Sequence, residues 1–502
     1  MRRKKHPRLP IKWLWIITTT AICVLFAFAV IPGAAAQGNN EALLPGAASQ
    51  YQQTQKYISS MHSVFDFIQR YYVDEVDPQV IFEGAMHGML NALDDPYSSF
   101  LAESEMKDLN DTTLGRFGGV GLNIIQSVGA RPDGKPRYVE VVSPIEDTPG
   151  WRAGINPGDF IAEIDGTPTD TLTMDEVLGI LRGAPGDDVK LLIKRGDKVE
   201  FSVTITRAEI EVPTVKHAMI GDTGYLKLIT FTPMTIDRTI DAINDFKKSN
   251  YKSLILDLRH NYGGLLDSAV DVSSLFLKGG IVVSTKSRIR FESRDIKTRR
   301  PMLVSDDIPI VVLINRGSAS ASEIVAGALK DRGRAYLVGE KTFGKGSVQQ
   351  VHRIDSAGFK LTTARYYTPS DVNIDKIGIP PDREVKFPEY TEGDSVKLNE
   401  LINANRIPEF AAENPHPAPA QFEAFAASLE SEYHLNLSLL KRMIRNELNR
   451  TSLAPVYDLE YDVQLQEALN ILRNGSYPSL MKTTKTLKAL QEEAEEELPL
   501  AS

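Results

Sequence analysis

Apolar residues recur along this chain in two rhythms, and the change of rhythm divides it. From Asn39 to Asp111 they return every three or four positions. Tyr57, Met61, Val64, Phe65 and Ile68 make one stripe; Val80, Ile81, Ala85, Met86, Met89 and Leu90 make another. That spacing predicts amphipathic helices, and these residues read as plain helical packing. The run from Leu93 to Leu101 (LDDPYSSFL) is a turn-rich break. From Leu114 to about Ala208 the pattern shortens to strands at Tyr138–Val142, Val189–Lys194 and Phe201–Thr206. Between them Met174, Val177, Leu178 and Leu181 share one face of a helix from about Thr173 to Arg182. From Glu209 to about Pro388, strands and helices alternate, the mark of an α/β layer. Strand material in Ile220–Thr230 precedes an amphipathic helix, Ile236–Phe246; short buried strands follow at Ser253–Leu258 and Ile308–Asn315, and another strand at Phe359–Thr368. Beyond Glu389 the composition shifts. A Pro/Ala-rich linker at Asn414–Ala420 is flanked by helical patterns at Phe422–Glu447, Val463–Leu472 and Leu487–Glu497.

At 502 residues the chain is too long for one core. Its net charge of -9 argues against nucleic acid as a partner. The beginning differs from the rest: Arg2, Arg3, Lys4, Lys5, Arg8 and Lys12 precede an apolar run from Trp13 to Ile31. Basic then apolar is the pattern of a secretory signal or a membrane anchor. Ala34-Ala35-Ala36 would suit signal cleavage, whereas the length of the run suits a retained helix. Either way everything after Gln37 is expected outside the cytoplasm, periplasmic or at the cell surface. Cys23, the only cysteine, lies inside this segment, so disulfides and a cysteine nucleophile are not expected in the exported body. The histidines are scattered without an H-E-x-x-H pattern, so no metal and no cofactor are expected.

The chemistry concentrates between Ile308 and Gln350. The apolar strand Ile308–Asn315 runs into Arg316-Gly317-Ser318-Ala319-Ser320-Ala321-Ser322-Glu323, after which Ile324, Ala328 and Leu329 recur at helical spacing. Three serines therefore sit on a turn between a core strand and a helix start, where backbone N–H groups are unpaired. A nucleophilic serine needs a base. Lys345, between Gly344 and Gly346, is one candidate, because a desolvated lysine can act as a base near neutral pH. From the residues alone, a Ser-rich helix cap followed by a surface lysine explains the same pattern.

These segments resemble the carboxyl-terminal processing (tail-specific) peptidases, a serine–lysine protease family. The likeness lies in Ser318–Glu323 with Gly327-Ala328-Leu329, in Gly339–Gly346 (GEKTFGKG), and in Val348-Gln349-Gln350. It implies Ser320 as nucleophile, Lys345 as base, and Gln349, one helical turn later, as the residue that orients the lysine. It leaves Ser318 and Ser322 as turn and cap residues. Asp257–Leu265 (DLRHNYGGL) resembles the family's D-L-R-x-N-x-G-G motif, with Tyr262 where proline is frequent. Glycine lets a backbone N–H approach a developing oxyanion. Gly263 or Gly264, with Ala321, is the expected oxyanion hole. His260 offers a competing Ser–His reading, and Asp257 and Arg259 read as paired scaffold charges.

Gly118–Ile124 (GGVGLNI), followed by Ser143-Pro144 and Ala153–Gly166, resembles a PDZ domain. In that likeness Gly119, Val120, Gly121 and Leu122 form the carboxylate-binding loop, and the peptide adds as an edge strand beside the helix near Thr173–Arg182. Ala364–Ser370 and Gly378–Asp382 continue the family match, while Asp371–Lys376 departs from it. The likeness covers roughly Val64 to Pro388. It implies a multidomain α/β protein with a ClpP/crotonase-like core. The expected parts are a signal or anchor at 1–36, helices at 37–113, PDZ at 114–208, protease core at 209–393 and helices at 394–502. The partners it implies are protein or peptide substrates with free C-termini, an activating or adaptor protein, and a second copy bound through the terminal helices. The alternative of a different class is a non-catalytic PDZ scaffold on a retired protease core; an acyl-transfer enzyme using the same serine is a third reading.

Overall fold

A computed structural model describes residues 47–126, 137–196, 199–386, 392–450 and 456–497. The basic and apolar segment, Cys23 and the alanine run at 34–36 lie outside the described residues. Among the described residues, no helix is long and apolar enough to cross a membrane. The chain divides after Ala85. Before that point the described chain is helical: Ala47–Tyr71, then the start of Pro78–Asn91. Both stripes fall on these helices, but plain packing does not describe them. Tyr57, Met61, Val64 and Val80 are exposed.

After Ala85 come β1 (Ser99–Leu101), the helix Glu103–Leu114 and β2 (Arg116–Gly119). A β unit follows, made of β3 (Leu122–Ile125), β4 (Val139–Pro144), β5 (Phe160–Ile164), β6 (Thr167–Pro168), the helix Met174–Leu181, β7 (Asp188–Arg195) and β8 (Val199–Thr206). Its sheet runs β3-β4-β5-β7-β8, with β6 on β5. Val139, Val141, Ile161, Leu191 and Ile193 close its core against Val177 and Leu181 of the helix. Thr173 caps that helix and Glu176 reaches back to the Thr173 N–H, a reciprocal cap. β9 (Ala208–Glu211) pairs antiparallel with β2, so the chain enters and leaves this unit through one two-stranded ribbon.

The larger layer contains β10 (Val215–Ile220), β11 (Thr223–Leu228), the helix Thr235–Lys248, β12 (Ser253–Asp257) and the helix Leu266–Ser274. It continues through β13 (Ile281–Lys286), β14 (Arg294–Lys297), β15 (Ile310–Ile314), the helix Ala321–Asp331, β16 (Tyr336–Gly339), β17 (Ser347–Ile354), β18 (Ala357–Tyr367) and β19 (Arg383–Glu384). The main sheet runs β10-β11-β12-β15-β16-β19 and is parallel from β11 onward. A parallel sheet needs cover on both faces, and alternation divides its side chains between two cores. Leu254, Leu256, Val312, Ile314 and Leu337 meet Val270, Val325 and Leu329 on one face. Ile255, Val311, Leu313, Tyr336 and Val338 meet Leu465, Ala468 and Leu469 on the other. The C-terminal helix Val463–Arg473 thus completes the sheet. A second sheet, β1-β18-β13-β14 with β17 on β18, brings β1 onto the edge of β18. The Phe422–Glu447 pattern is two helices, Pro419–Tyr433 and Leu437–Arg450, because His434 takes a left-handed cap conformation (φ 52°) between them.

Candidate active site

β15 ends at Ile314, and the helix Ala321–Asp331 starts seven residues later in the chain, so a tight turn presents the three serines. Two of them are fastened to the scaffold. The Ser318 hydroxyl donates to the Leu258 carbonyl (2.9 Å), and the Ser322 hydroxyl donates to the Asn261 carbonyl (2.7 Å). Ser320 is only half-buried, and its side chain makes no cap bond with the helix it precedes. Its backbone has φ 55° and ψ −112°, an uncommon conformation for a residue with a side chain. The strained turn lifts the hydroxyl off the helix end. Sequence reasoning singled out Ser320 among the three, and the flanking hydroxyls here bond to carbonyls of the 258–261 loop.

Asn261 organises that loop. It is fully buried; its amide donates to the Leu228 carbonyl (2.9 Å) and its side-chain oxygen accepts from the Gly263 N–H (2.9 Å). Its own carbonyl accepts from the Ala319 N–H at 3.1 Å. Gly263 (φ 108°) packs so closely that an added Cβ would lie 2.9 Å from Ser320 Cβ and 3.0 Å from the Ala321 nitrogen. Since the Gly263 N–H is already bonded, it is not free to receive an oxyanion. Among the described residues, no backbone hydrogen bond takes the Gly264 or Ala321 N–H. Of the two expected glycines, Gly263 thus has its N–H bonded, and among the described residues no hydrogen bond is made by that of Gly264.

The expected base reaches the turn through Glu323. This carboxylate is fully buried and accepts four hydrogen bonds: Thr342 Oγ1 (2.6 Å) and the Gly344 N–H (2.8 Å) on Oε1, and the Ser320 and Lys345 N–H groups (2.9 Å each) on Oε2. One oxygen thus holds the backbones of Ser320 and Lys345 together. Burial pushes the Glu323 carboxyl up from its ordinary value, against the pull of those donors. The Tyr366 hydroxyl adds a second link, its one proton shared between the Ser320 carbonyl (3.2 Å) and the Lys345 carbonyl. Burial draws the Lys345 ammonium below its ordinary pKa; nearby Lys360 adds to this, while Asp95 and Glu323 oppose it. Its Nζ lies 4.6 Å from the centroid of the Tyr97 ring.

Gln349 departs from expectation. It lies on β17, where the period is two, so it is not one helical turn beyond Lys345. Its amide nitrogen donates to Ser347 Oγ (3.0 Å) and Thr362 Oγ1 (3.2 Å). His260 is held by Asn315, with its Nε2 2.9 Å from the Asn315 amide; burial, Lys227 and Arg259 lower its pKa. Arg259 pairs with Asp257, as expected for scaffold charges. It also forks onto Asp462, 203 residues away, with both Nη–Oδ distances 2.7 Å, and so ties the motif loop to the C-terminal helix. Among the described residues no group of histidines, cysteines and acids could hold a metal.

The loop from Gly119 to Leu122 lies between β2 and β3, and β3 is the free edge of its sheet. The Val120 carbonyl accepts from the Gly150 N–H (2.7 Å), and the Gly121 carbonyl accepts from the Ile145 N–H (2.9 Å) and the Thr148 hydroxyl (3.1 Å). Gly118 accepts from the Gly183 N–H (3.1 Å) just past the helix Met174–Leu181. At the other end of β3, Gln126 bonds the Thr169 carbonyl (2.9 Å) and the Leu172 carbonyl (3.3 Å) just before that helix. The end of β2 just ahead of β3 and the residue that follows β3 are thus tied to the two ends of the helix. A cleft of about 1190 Å³, lined by Leu122, Asn123, Trp151, Lys227 and Arg259, includes neither Ser320 nor Lys345.

Residues 222–385 match the model of peptidase family S41, residues 140–195 match a PDZ domain, and residues 20–105 match the activating protease CtpB N-terminal domain. A carboxy-terminal-processing protease of Bartonella bacilliformis is 41% identical over 359 residues, covering 70% of this chain and 80% of its own length. This chain belongs to the carboxy-terminal processing proteases of peptidase family S41. A chloroplastic carboxyl-terminal-processing peptidase 2 of Arabidopsis thaliana is 37% identical over 61% of this chain and 61% of its own length. Among solved structures, a photosystem II D1 C-terminal processing protease aligns with 29% identity over 65% of this chain and 92% of its own, at a TM-score of 0.40. Membership makes the chain a serine peptidase with an α/β protease core, a PDZ domain and helical regions at both ends. It sets aside the non-catalytic scaffold.

Sequence reasoning missed two parts of the site. Glu323 was legible as the close of the serine motif, but its four donors were not. Tyr97 gave no signal beyond its turn-rich segment, because it meets Lys345 only through the pairing of β1 with β18.

Proposed function

We propose that this family member is an endopeptidase in which Ser320 is the nucleophile and Lys345 the general base, and that its PDZ domain receives substrates by their free C-termini. The observation that carries the reading is the shared Glu323 Oε2, which holds the backbones of Ser320 and Lys345 together beside Gly263. Neutral Lys345 takes the proton from the Ser320 hydroxyl as Oγ attacks the scissile carbonyl. The oxyanion then lies between the N–H groups of Gly264 and Ala321. The ammonium gives its proton to the leaving amine, and water hydrolyses the acyl-enzyme by the same path. Lysine suits this role because burial already favours its neutral form.

Tail recognition is supported by the exposed edge of β3, the adjoining helix, and a loop whose Val120 and Gly121 carbonyls are tied inward. A peptide added to β3 would end at that loop, with its carboxylate on backbone N–H groups. The basic and apolar sequence before Gln37 supports a site of action outside the cytoplasm, with residues 13–31 as signal or anchor. Ser320→Ala should abolish cleavage and leave the fold unchanged, whereas Ser318→Ala and Ser322→Ala retain activity. Loss in Ser318→Ala with survival in Ser320→Ala would overturn the assignment.

A further inference from the structure

The segment Asp94–Ser98 lies in the turn-rich break ahead of β1, far from the serine and lysine motifs in sequence. β1 carries it onto β18, with Phe100 opposite Phe359 and Leu101 opposite Gly358. Asp95 then fixes its shape: its carboxylate accepts from the Tyr97 N–H (3.1 Å), the Ser98 hydroxyl (2.5 Å) and the Thr362 hydroxyl (2.6 Å). Buried Ser98 in turn accepts from the Thr362 N–H at 3.0 Å. So fixed, Tyr97 presents its ring to Lys345 Nζ at 4.6 Å from the centroid, within the range in which a ring attracts a cation.

We propose that Tyr97 is a further positioning residue of the catalytic lysine, its ring face holding Lys345 as the ammonium. This rests on the reading of Lys345 as the base. The attraction is specific to the charged form. A neutral amine gains little from a ring quadrupole, so the ring stabilises Lys345 only while it carries the proton, before deprotonation and again between taking the serine proton and giving it to the leaving amine. The ring thereby supports the cation formed in each acylation step. The Gln349 amide nitrogen joins the same network through Thr362, whose hydroxyl donates to Asp95. The charged and titratable groups facing Lys345 are Asp95 and Tyr97 from this segment, Glu323 from the serine helix, and Lys360 and Tyr366 from β18; Asp375 faces Tyr97 from the following loop. Two of the acids favour the ammonium, as does the ring, while burial and Lys360 oppose it.

The test is the pH dependence of Ser320 labelling by a fluorophosphonate in the full chain. It compares the parent with Tyr97→Phe, Tyr97→Leu, a trifluorophenylalanine at position 97, and Lys345→Ala. Phenylalanine keeps the ring face and should keep the acid limb of the profile. Leucine fills similar space without a quadrupole, and fluorination withdraws the ring's charge while preserving its shape. Both should move the limb down by about half to one and a half pH units, the shift expected for loss of a partly desolvated cation–π contact. The fluorinated ring decides the matter if leucine disturbs folding. A limb that disappears in Lys345→Ala but stays in place for leucine and the fluorinated ring would overturn the role of Tyr97 alone. A limb that persists in Lys345→Ala would overturn the base assignment and this inference with it.

Discussion

Replacing Glu323 separates what the shared carboxylate does for stability from what it does for chemistry. Glutamine is the mild substitution. Its remaining oxygen fits best at the Oε2 position, where two backbone N–H groups leave no alternative to an acceptor. Its amide then occupies the Oε1 position, facing Thr342 and the Gly344 N–H. The Thr342 hydroxyl can turn and accept, but the Gly344 N–H loses its bond. One buried backbone donor and the charge of the acceptor are lost, about 2–3 kcal/mol. Alanine strips the acceptor from all four donors. With partial relief by entering water, about 4–6 kcal/mol is expected, at the extreme of single substitutions. Glu323→Gln should still hold Ser320 and Lys345 on one oxygen and keep measurable labelling of Ser320. Glu323→Ala should lose both stability and labelling. Urea unfolding midpoints and fluorophosphonate labelling rates read the two effects separately. A parental midpoint and labelling rate in Glu323→Ala would refute the argument.

Other outcomes follow from the same contacts. Lys345→Ala should be as inactive as Ser320→Ala, and the double variant no worse, because the pair acts as a unit; single-turnover rates check this. Activity should rise with pH through a lysine pKa lowered by burial, since only the neutral amine accepts a proton, and His260→Ala should leave that limb in place. Arg259→Leu would leave Asp257 and Asp462 without their partner and should cost about 3–5 kcal/mol in a denaturant titration. Arg259→Lys should fail to restore it, because one ammonium cannot serve both forks. C-terminal amidation of a tail-bearing substrate should slow its cleavage while leaving a short reporter peptide unaffected; equal rates for acid and amide would remove the carboxylate loop from the account.

Substitution within that loop is a poor substitute for amidation. Gly121 has φ 77°, and an added Cβ would lie 2.3 Å from the Thr148 side chain. Even Gly121→Ala would disturb the PDZ fold, so a loss of cleavage there would not report on the carboxylate.

What could be read from the sequence was local. The charge-free strand before the serines, the helix after them and the alternating strands of the PDZ unit each announce themselves within a dozen residues, because period and turn chemistry are local properties. Gln349 was misplaced because four residues span a helical turn but also two strand repeats, and β17 pairs with β18 over its whole length. The bond from Arg259 to Asp462, the seat of Tyr97 on β18 and the four donors on Glu323 join distant segments, and no spacing encodes them. What distinguishes Gly263 from Gly264 is likewise a single contact no spacing encodes, the Asn261 side chain that accepts from the Gly263 N–H.

The central claim is that Ser320 reacts because Lys345 removes its proton. Labelling the full chain with a fluorophosphonate and mapping the adduct by peptide mass spectrometry, in the parent and in Lys345→Ala, tests it most directly. The account predicts a single adduct on Ser320 whose formation accelerates with pH in the parent and is nearly absent in Lys345→Ala. An adduct on Ser318 or Ser322, or equal labelling of Ser320 with and without the lysine, would contradict it.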